Sequence, residues 1–154
     1  MLTFAYGSNM NWNQMRERCP SSRFVGIAVL RDHKLAFTGE SVNRGCGVAD
    51  VVAEDGAQVW GVVYEIADLD VGKLDTLEGF SPGRDKNSYY RRECLVFLDG
   101  EDQRPLTVSA YFGDPQPNPP LPNAKYRNCI LAGARHWHLP GEYIRELEQI
   151  EVSG

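Results

Sequence analysis

From Arg23 to Ile66 the chain is a succession of β-branched and aromatic runs broken by polar turns, and this stretch commits the protein to a sheet. Everything else must pack against it. The segment "RFVGIAVLRDHKLAFTG" predicts one long or bent strand, and the polar, glycine-rich "ESVNRGCG" predicts a loop. "VADVVAE" and "QVWGVVYEI" then predict two strands paired through a hairpin turn at Asp55-Gly56. Farther on, "YYRRECLVFL" and "LTVSAYFG" read as a second hairpin around "DGEDQ", and Leu2 to Tyr6 reads as a short buried strand.

The helical segments carry clear start and stop signals. Asn11-x-x-Gln14 resembles a capping box opening "NWNQMRER", which Pro20 ends. "ADLDVGKLDTLEG" reads as a helix closed by Gly79. Two more follow at the end, "AKYRNCILAGARHWH" and "PGEYIRELEQI", the latter with Pro140 in its first turn. Ahead of them, "DPQPNPPLP" places five prolines between Asp114 and Asn123, which bars it from a sheet interior. It belongs on the surface, as a rigid loop lining a cleft or as a polyproline ligand. No repeat or linker divides the sequence, so 1–154 reads as one domain.

Charge and cysteine usage remove several function classes. The net charge is −5 with basic residues scattered, so there is no electrostatic footprint for nucleic acid or an anionic membrane. No apolar run approaches the ~18 residues of a membrane span. The opening residues lack a basic n-region with an apolar core, so a cytoplasmic location is expected. Cys19, Cys46, Cys94 and Cys129 form no C-x-x-C pair and read as buried free thiols in a reducing compartment. His136 and His138, two apart on a helix, point to different faces, so no metal is expected. Ser8 follows Gly7, but Met10 stands where a nucleophile elbow needs a second glycine. A monomer and a homodimer both suit a chain of this kind.

Two features carry chemistry. In "LTFAYGSNMNWNQM" an apolar strand stops at Gly7-Ser8-Asn9 just before a capped helix. Such a turn either merely reverses the chain or presents successive backbone N–H groups to an anion. The second feature is Glu78. On the predicted helix Val71, Leu74 and Glu78 share the core-facing stripe, with Leu77 beside it and Asp68, Asp70, Lys73 and Asp75 on the solvated face. Burial and the negative helix end both raise the pKa of a carboxylate placed there, as a general acid/base near neutrality requires. The same pattern accommodates a Glu whose stem packs while its head reaches solvent.

"FAYGSNM", "VWGVVYEI", "LDTLEGF" with Tyr90 further on, and "AKYRNCILAGA…LPGEYIREL" together resemble the γ-glutamylcyclotransferase (AIG2-like) family, in order along nearly the whole chain. The resemblance implies an α+β fold, a small mixed β-barrel with peripheral helices. It also implies cofactor-free cyclisation of a γ-glutamyl group to 5-oxoproline, with release of an amino acid or amine. In such a site Ala5, Tyr6, Gly7, Ser8 and Asn9 would hold the small-molecule γ-glutamyl substrate. Backbone N–H groups of Gly7 and Ser8 would meet its α-carboxylate or the oxyanion formed at its γ-carbonyl. Glu78 would be the catalytic acid/base, with Tyr90 and Tyr126 contacting substrate and Tyr111 approaching from a neighbouring strand. Two alternatives stay open: a γ-glutamylamine cyclotransferase, whose relatives carry threonine-leucine where this chain has Ser8-Asn9, and a non-catalytic module binding a γ-glutamyl ligand. Thr76-Leu77 and the long loop "SPGRDKNS" depart from the family pattern on the leaving-group side.

Overall fold

The computed structural model describes residues 1–154. The β-rich stretch forms β2 (Arg23–Ser41) and β3 (Cys46–Glu65), two long antiparallel strands. β1 (Leu2–Ala5) lies antiparallel on β3, with Leu2 opposite Glu65 and Ala5 opposite Val62. β4 (Tyr89–Leu98) and β5 (Pro105–Gly113) make the expected hairpin. β4 joins β2 through Ala28–Leu98 and Val29–Phe97, and β5 meets β1 in parallel at Thr3–Ser109. The result is a closed barrel in the order β1-β3-β2-β4-β5, with one parallel joint among antiparallel ones. The barrel closes through short joints, two residue pairs between β2 and β4 and one between β1 and β5, and Phe4, Val59, Val63, Val96 and Val108 sit at most 2% exposed in the core.

The Asp55-Gly56 hairpin does not form. Ala53 pairs with His33 and Gln58 with Arg31, so "VADVVAE" and "QVWGVVYEI" are two halves of β3, both laid along β2. Residues 54–57 bulge out opposite Asp32, whose φ is 58°, and the Asp32 carboxylate accepts the Gly56 N–H at 3.0 Å. The reason is geometric. An Asp-Gly pair supplies the left-handed glycine that a bulge and a two-residue turn both need, and Gly56 has φ 80°. The true reversal is the glycine-rich loop, where the Gly45 N–H closes on Ser41 O at 2.8 Å.

The helices are α1 (Trp12–Arg18), α2 (Asp68–Leu77), α3 (Ala124–His136) and α4 (Gly141–Glu148), with a 3-10 turn at Ser8–Met10. Tyr64 of β3 faces outward, stacked on Trp12 and edge-on to Trp137, which explains why consecutive residues of this strand are all buried. α3 crosses the 3-10 turn at Gly133, where a Cβ would lie 2.3 Å from the Met10 carbonyl carbon, so no other residue fits without moving backbone.

α2 corrects one expectation. Leu74 is buried as the stripe requires, but Asp70 and Asp75 are 3% and 6% exposed instead of solvated. Leu77 is 54% exposed and does not continue the apolar face. The aspartates are buried because donors await them: Asp70 accepts from the Ser21 N–H and hydroxyl, and Asp75 accepts the Tyr111 hydroxyl at 2.6 Å with Arg91 at 3.6 Å. The proline-rich segment runs over the surface, with its Gln116 N–H tied to Thr38 O at 2.8 Å. Asp114, Pro115, Gln116 and Pro117 line a surface hollow, which fits the rigid-loop expectation. No helix is long and apolar enough to cross a membrane.

Candidate active site

β1 delivers the chain to the barrel mouth at Ala5, and the next four residues turn across it. Tyr6 is buried and donates its hydroxyl to the Tyr111 carbonyl, which anchors the start of the turn. Carbonyl groups are taken up on the protein side: Gly7 O accepts from Met10 N at 3.1 Å and Ser8 O from Asn11 N at 2.9 Å. Asn9 O accepts the Tyr64 hydroxyl at 2.9 Å, and Met10 O accepts Trp137 Nε1 at 3.0 Å. The backbone N–H groups of Gly7, Ser8 and Asn9 donate to nothing in the protein. Gly7 has φ −117°, so this turn does not use the left-handed region. What its missing side chain provides is room, since a Cβ would come within 3.2 Å of Ala49 Cβ and 3.6 Å of the Tyr126 hydroxyl.

Glu78 caps the C-terminus of α2, its N–H on Leu74 O at 2.9 Å, and Gly79 follows at φ 70°. Its Oε1 accepts the Asn9 side-chain amide at 3.1 Å. Burial pushes the Glu78 carboxyl above the ordinary glutamate range, while Arg18, the Asn9 hydrogen bond and Arg44 pull the other way without cancelling it. A carboxylate with a raised pKa and no ion-pair partner is equipped to take up and return a proton.

Ala5, Tyr6, Gly7, Ser8, Asn9, Glu78 and Tyr126 converge on one cavity of about 50 Å³, and Phe4, Ala49, Tyr89 and Tyr111 complete its wall. Tyr126 accepts the Ala49 N–H at 2.9 Å, and Tyr89 donates to the Ala49 carbonyl. Burial raises the pKa of all four tyrosines, Tyr6, Tyr89, Tyr111 and Tyr126, so their hydroxyls stay protonated. Tyr90 is not among them: its hydroxyl accepts Asn87 N–H and donates to Asp85 O, each at 3.2 Å, away from the cavity. Adjacent strand residues point to opposite faces, and Tyr89 is the one that enters.

Sequence reasoning also missed Gln14, Arg18 and Arg44. Asn11 caps α1 by accepting Gln14 N–H at 3.2 Å, but the Gln14 side chain does not return to close the capping box. It donates to Ser8 Oγ at 2.8 Å and Asn9 Oδ1 at 3.0 Å, and accepts Arg44 Nη2 at 3.0 Å. A polar side chain at that position, on a helix leading out of a ligand-binding turn, was the signal available. Beyond Ser8, Glu78, Tyr89 and Tyr126 the cavity continues into an outer cleft of about 470 Å³, bordered by Arg18 and Arg44.

A family model described as "Gamma-glutamyl cyclotransferase, AIG2-like" matches residues 3–139. The chain belongs to this family. Among its relatives, the human gamma-glutamylcyclotransferase is 32% identical over 155 residues, covering 97% of this chain and 78% of the human protein. The mouse gamma-glutamylcyclotransferase is likewise 32% identical over 154 residues, with the same shares covered. A solved gamma-glutamyl cyclotransferase structure superposes with a TM-score of 0.89 at 31% identity, over 99% of this chain and 89% of that one. The α+β barrel of this cyclotransferase-family chain is therefore the fold of its relatives.

Proposed function

We propose that this cyclotransferase-family protein converts γ-glutamyl compounds to 5-oxoproline, with Glu78 relaying protons and the Gly7–Asn9 turn holding the substrate's anionic oxygens. The observation that carries this reading is the pairing of a raised-pKa carboxylate with three unpaired backbone N–H groups in one cavity. Glu78 takes a proton from the substrate's α-ammonium. The freed amine attacks the γ-carbonyl carbon of the same molecule, forming the lactam C–N bond, and the oxyanion is stabilised by backbone N–H donors of the turn. The bond to the departing nitrogen then breaks. Two protons leave the attacking nitrogen and two arrive on the departing one, so Glu78 ends as the carboxylate it began and no cofactor enters the balance. The nucleophile is tethered to its target, which leaves conformation, proton transfer and charge stabilisation as the protein's contributions.

Ser8-Asn9 in place of a threonine-leucine pair favours amino acids over simple amines as the released group. Four free thiols suit the reducing cytosol. Incubation with a panel of γ-glutamyl dipeptides, glutathione and γ-glutamyl-amines, assayed for 5-oxoproline, tests the proposal. Product from at least one member is expected, and silence across the panel would replace catalysis with ligand binding.

A further inference from the structure

Two guanidinium groups border the outer cleft without a carboxylate partner. Arg18 and Arg44 form no ion pair, which is also true of Arg16, Arg84, Arg92, Arg127 and Arg145, and what sets these two apart is their place at the cleft. Arg44 lies over the Tyr126 ring, 4.8 Å from its centroid. Its Nη2 donates to Gln14 Oε1 at 3.0 Å and to Ser8 Oγ at 3.3 Å, while Nε and Nη1 donate to nothing in the protein. The group is thus held in one plane at the junction of cavity and cleft, with donors left over.

The substrate's two ends meet different chemistry. No lysine or arginine lines the inner cavity, so the α-carboxylate there relies on backbone N–H groups. Glu78 has to reach the departing nitrogen to protonate it, and in an α-amino acid the carboxylate carbon lies two bonds beyond that nitrogen, roughly 2.5 Å away. Past Glu78 lies the cleft that Arg44 and Arg18 border, together with Glu40, which is exposed.

We propose that Arg44 binds the carboxylate of the departing amino acid, making the outer cleft a subsite for leaving groups that carry one. The inference rests on the cyclisation proposed above. A simple amine has no oxygen for the waiting guanidinium, whereas an amino acid pairs with it through charge-assisted hydrogen bonds.

γ-Glutamyl-alanine and γ-glutamyl-ethylamine differ by one carboxylate and separate the alternatives. Wild-type protein is expected to prefer the alanine compound about tenfold to hundredfold in kcat/KM, the range for a hydrogen bond to a charged group. Arg44→Gln should bring that ratio towards one, and Arg44→Lys, which keeps the charge, should retain part of it. Thermal melts report whether each variant is folded, and should Arg44→Gln fail to fold, the wild-type ratio and Arg44→Lys decide. Equal wild-type values, or a ratio unmoved by Arg44→Gln, would overturn the assignment of Arg44 and leave the cyclisation standing. No 5-oxoproline from either compound would overturn both.

Discussion

The Asn9 side-chain amide donates to Glu78 Oε1 at 3.1 Å, and the direction of that bond is imposed from behind. Asn9 Oδ1 already accepts from Gln14 Nε2 at 3.0 Å and from Arg18 Nη1 at 3.1 Å. With two donors on its oxygen, the amide has only its NH₂ to offer the carboxylate. The turn and the acid/base are thereby locked together, although Asn9 and Glu78 come from opposite sides of the long β hairpin in sequence.

Arg18 is the strongest of the influences that lower the Glu78 pKa against burial. Its removal should therefore raise that pKa further. Arg18→Gln is expected to move the acid limb of the kcat/KM–pH profile to higher pH, while Arg18→Lys moves it less. A limb that stays in place or shifts down would show that Arg18 does not govern the carboxylate.

Gly7 offers a test of the donor pocket that differs from one based on strain. A methyl group added there stands 3.2 Å from Ala49 Cβ and 3.6 Å from the Tyr126 hydroxyl. Gly7→Ala is expected to raise KM by about tenfold or more with a modest change in melting temperature, since the methyl crowds the cavity wall, and a loss of about 1–3 kcal/mol is the usual scale of overpacking. Unchanged KM would remove Gly7 from the substrate's path.

Gly133 should behave in the opposite way. A Cβ there meets Met10 and Asn11 backbone at 2.3–2.5 Å, so Gly133→Ala forces α3 off the turn. The variant is expected to lose well over 1 kcal/mol of stability along with activity, measured by thermal or urea unfolding. Wild-type stability would mean that α3 and the turn are not in contact.

What was legible in the sequence follows from period and parity. Val71, Leu74 and Glu78 could be placed on one helical stripe because three observations constrain a single phase. Tyr89 against Tyr90 turned on one residue of strand parity, and a shift of one exchanges inward for outward. Asp55-Gly56 was misread because the same local chemistry serves a turn and a bulge. Asp70 and Asp75 were misplaced because the hydroxyl and guanidinium groups that satisfy them, on Ser21, Tyr111 and Arg91, are brought close only by barrel closure. Arg18 and Arg44 belong to the same class: their role depends on which segments meet at the barrel mouth.

The decisive residue is Glu78, and Glu78→Gln separates its chemistry from its packing. Glutamine keeps the volume and still accepts the Asn9 amide through its carbonyl oxygen, but it exchanges no proton near neutrality. Turnover to 5-oxoproline should fall by about 10²–10⁴-fold, the usual contribution of a general acid/base, while substrate affinity holds. Stability has a defined sign. The folded-state pKa of Glu78 lies above its unfolded value, so its contribution is fully present below the unfolded pKa and is lost as pH rises through the folded one. Above that folded-state pKa the wild-type protein holds a carboxylate that burial disfavours, and the variant does not. Its melting temperature at pH 7 should equal or slightly exceed that of the wild type, and the advantage should shrink on acidification as wild-type Glu78 takes up its proton. Near-normal turnover would remove Glu78 from the reaction, and a large drop in melting temperature would mean that its charge holds the fold together.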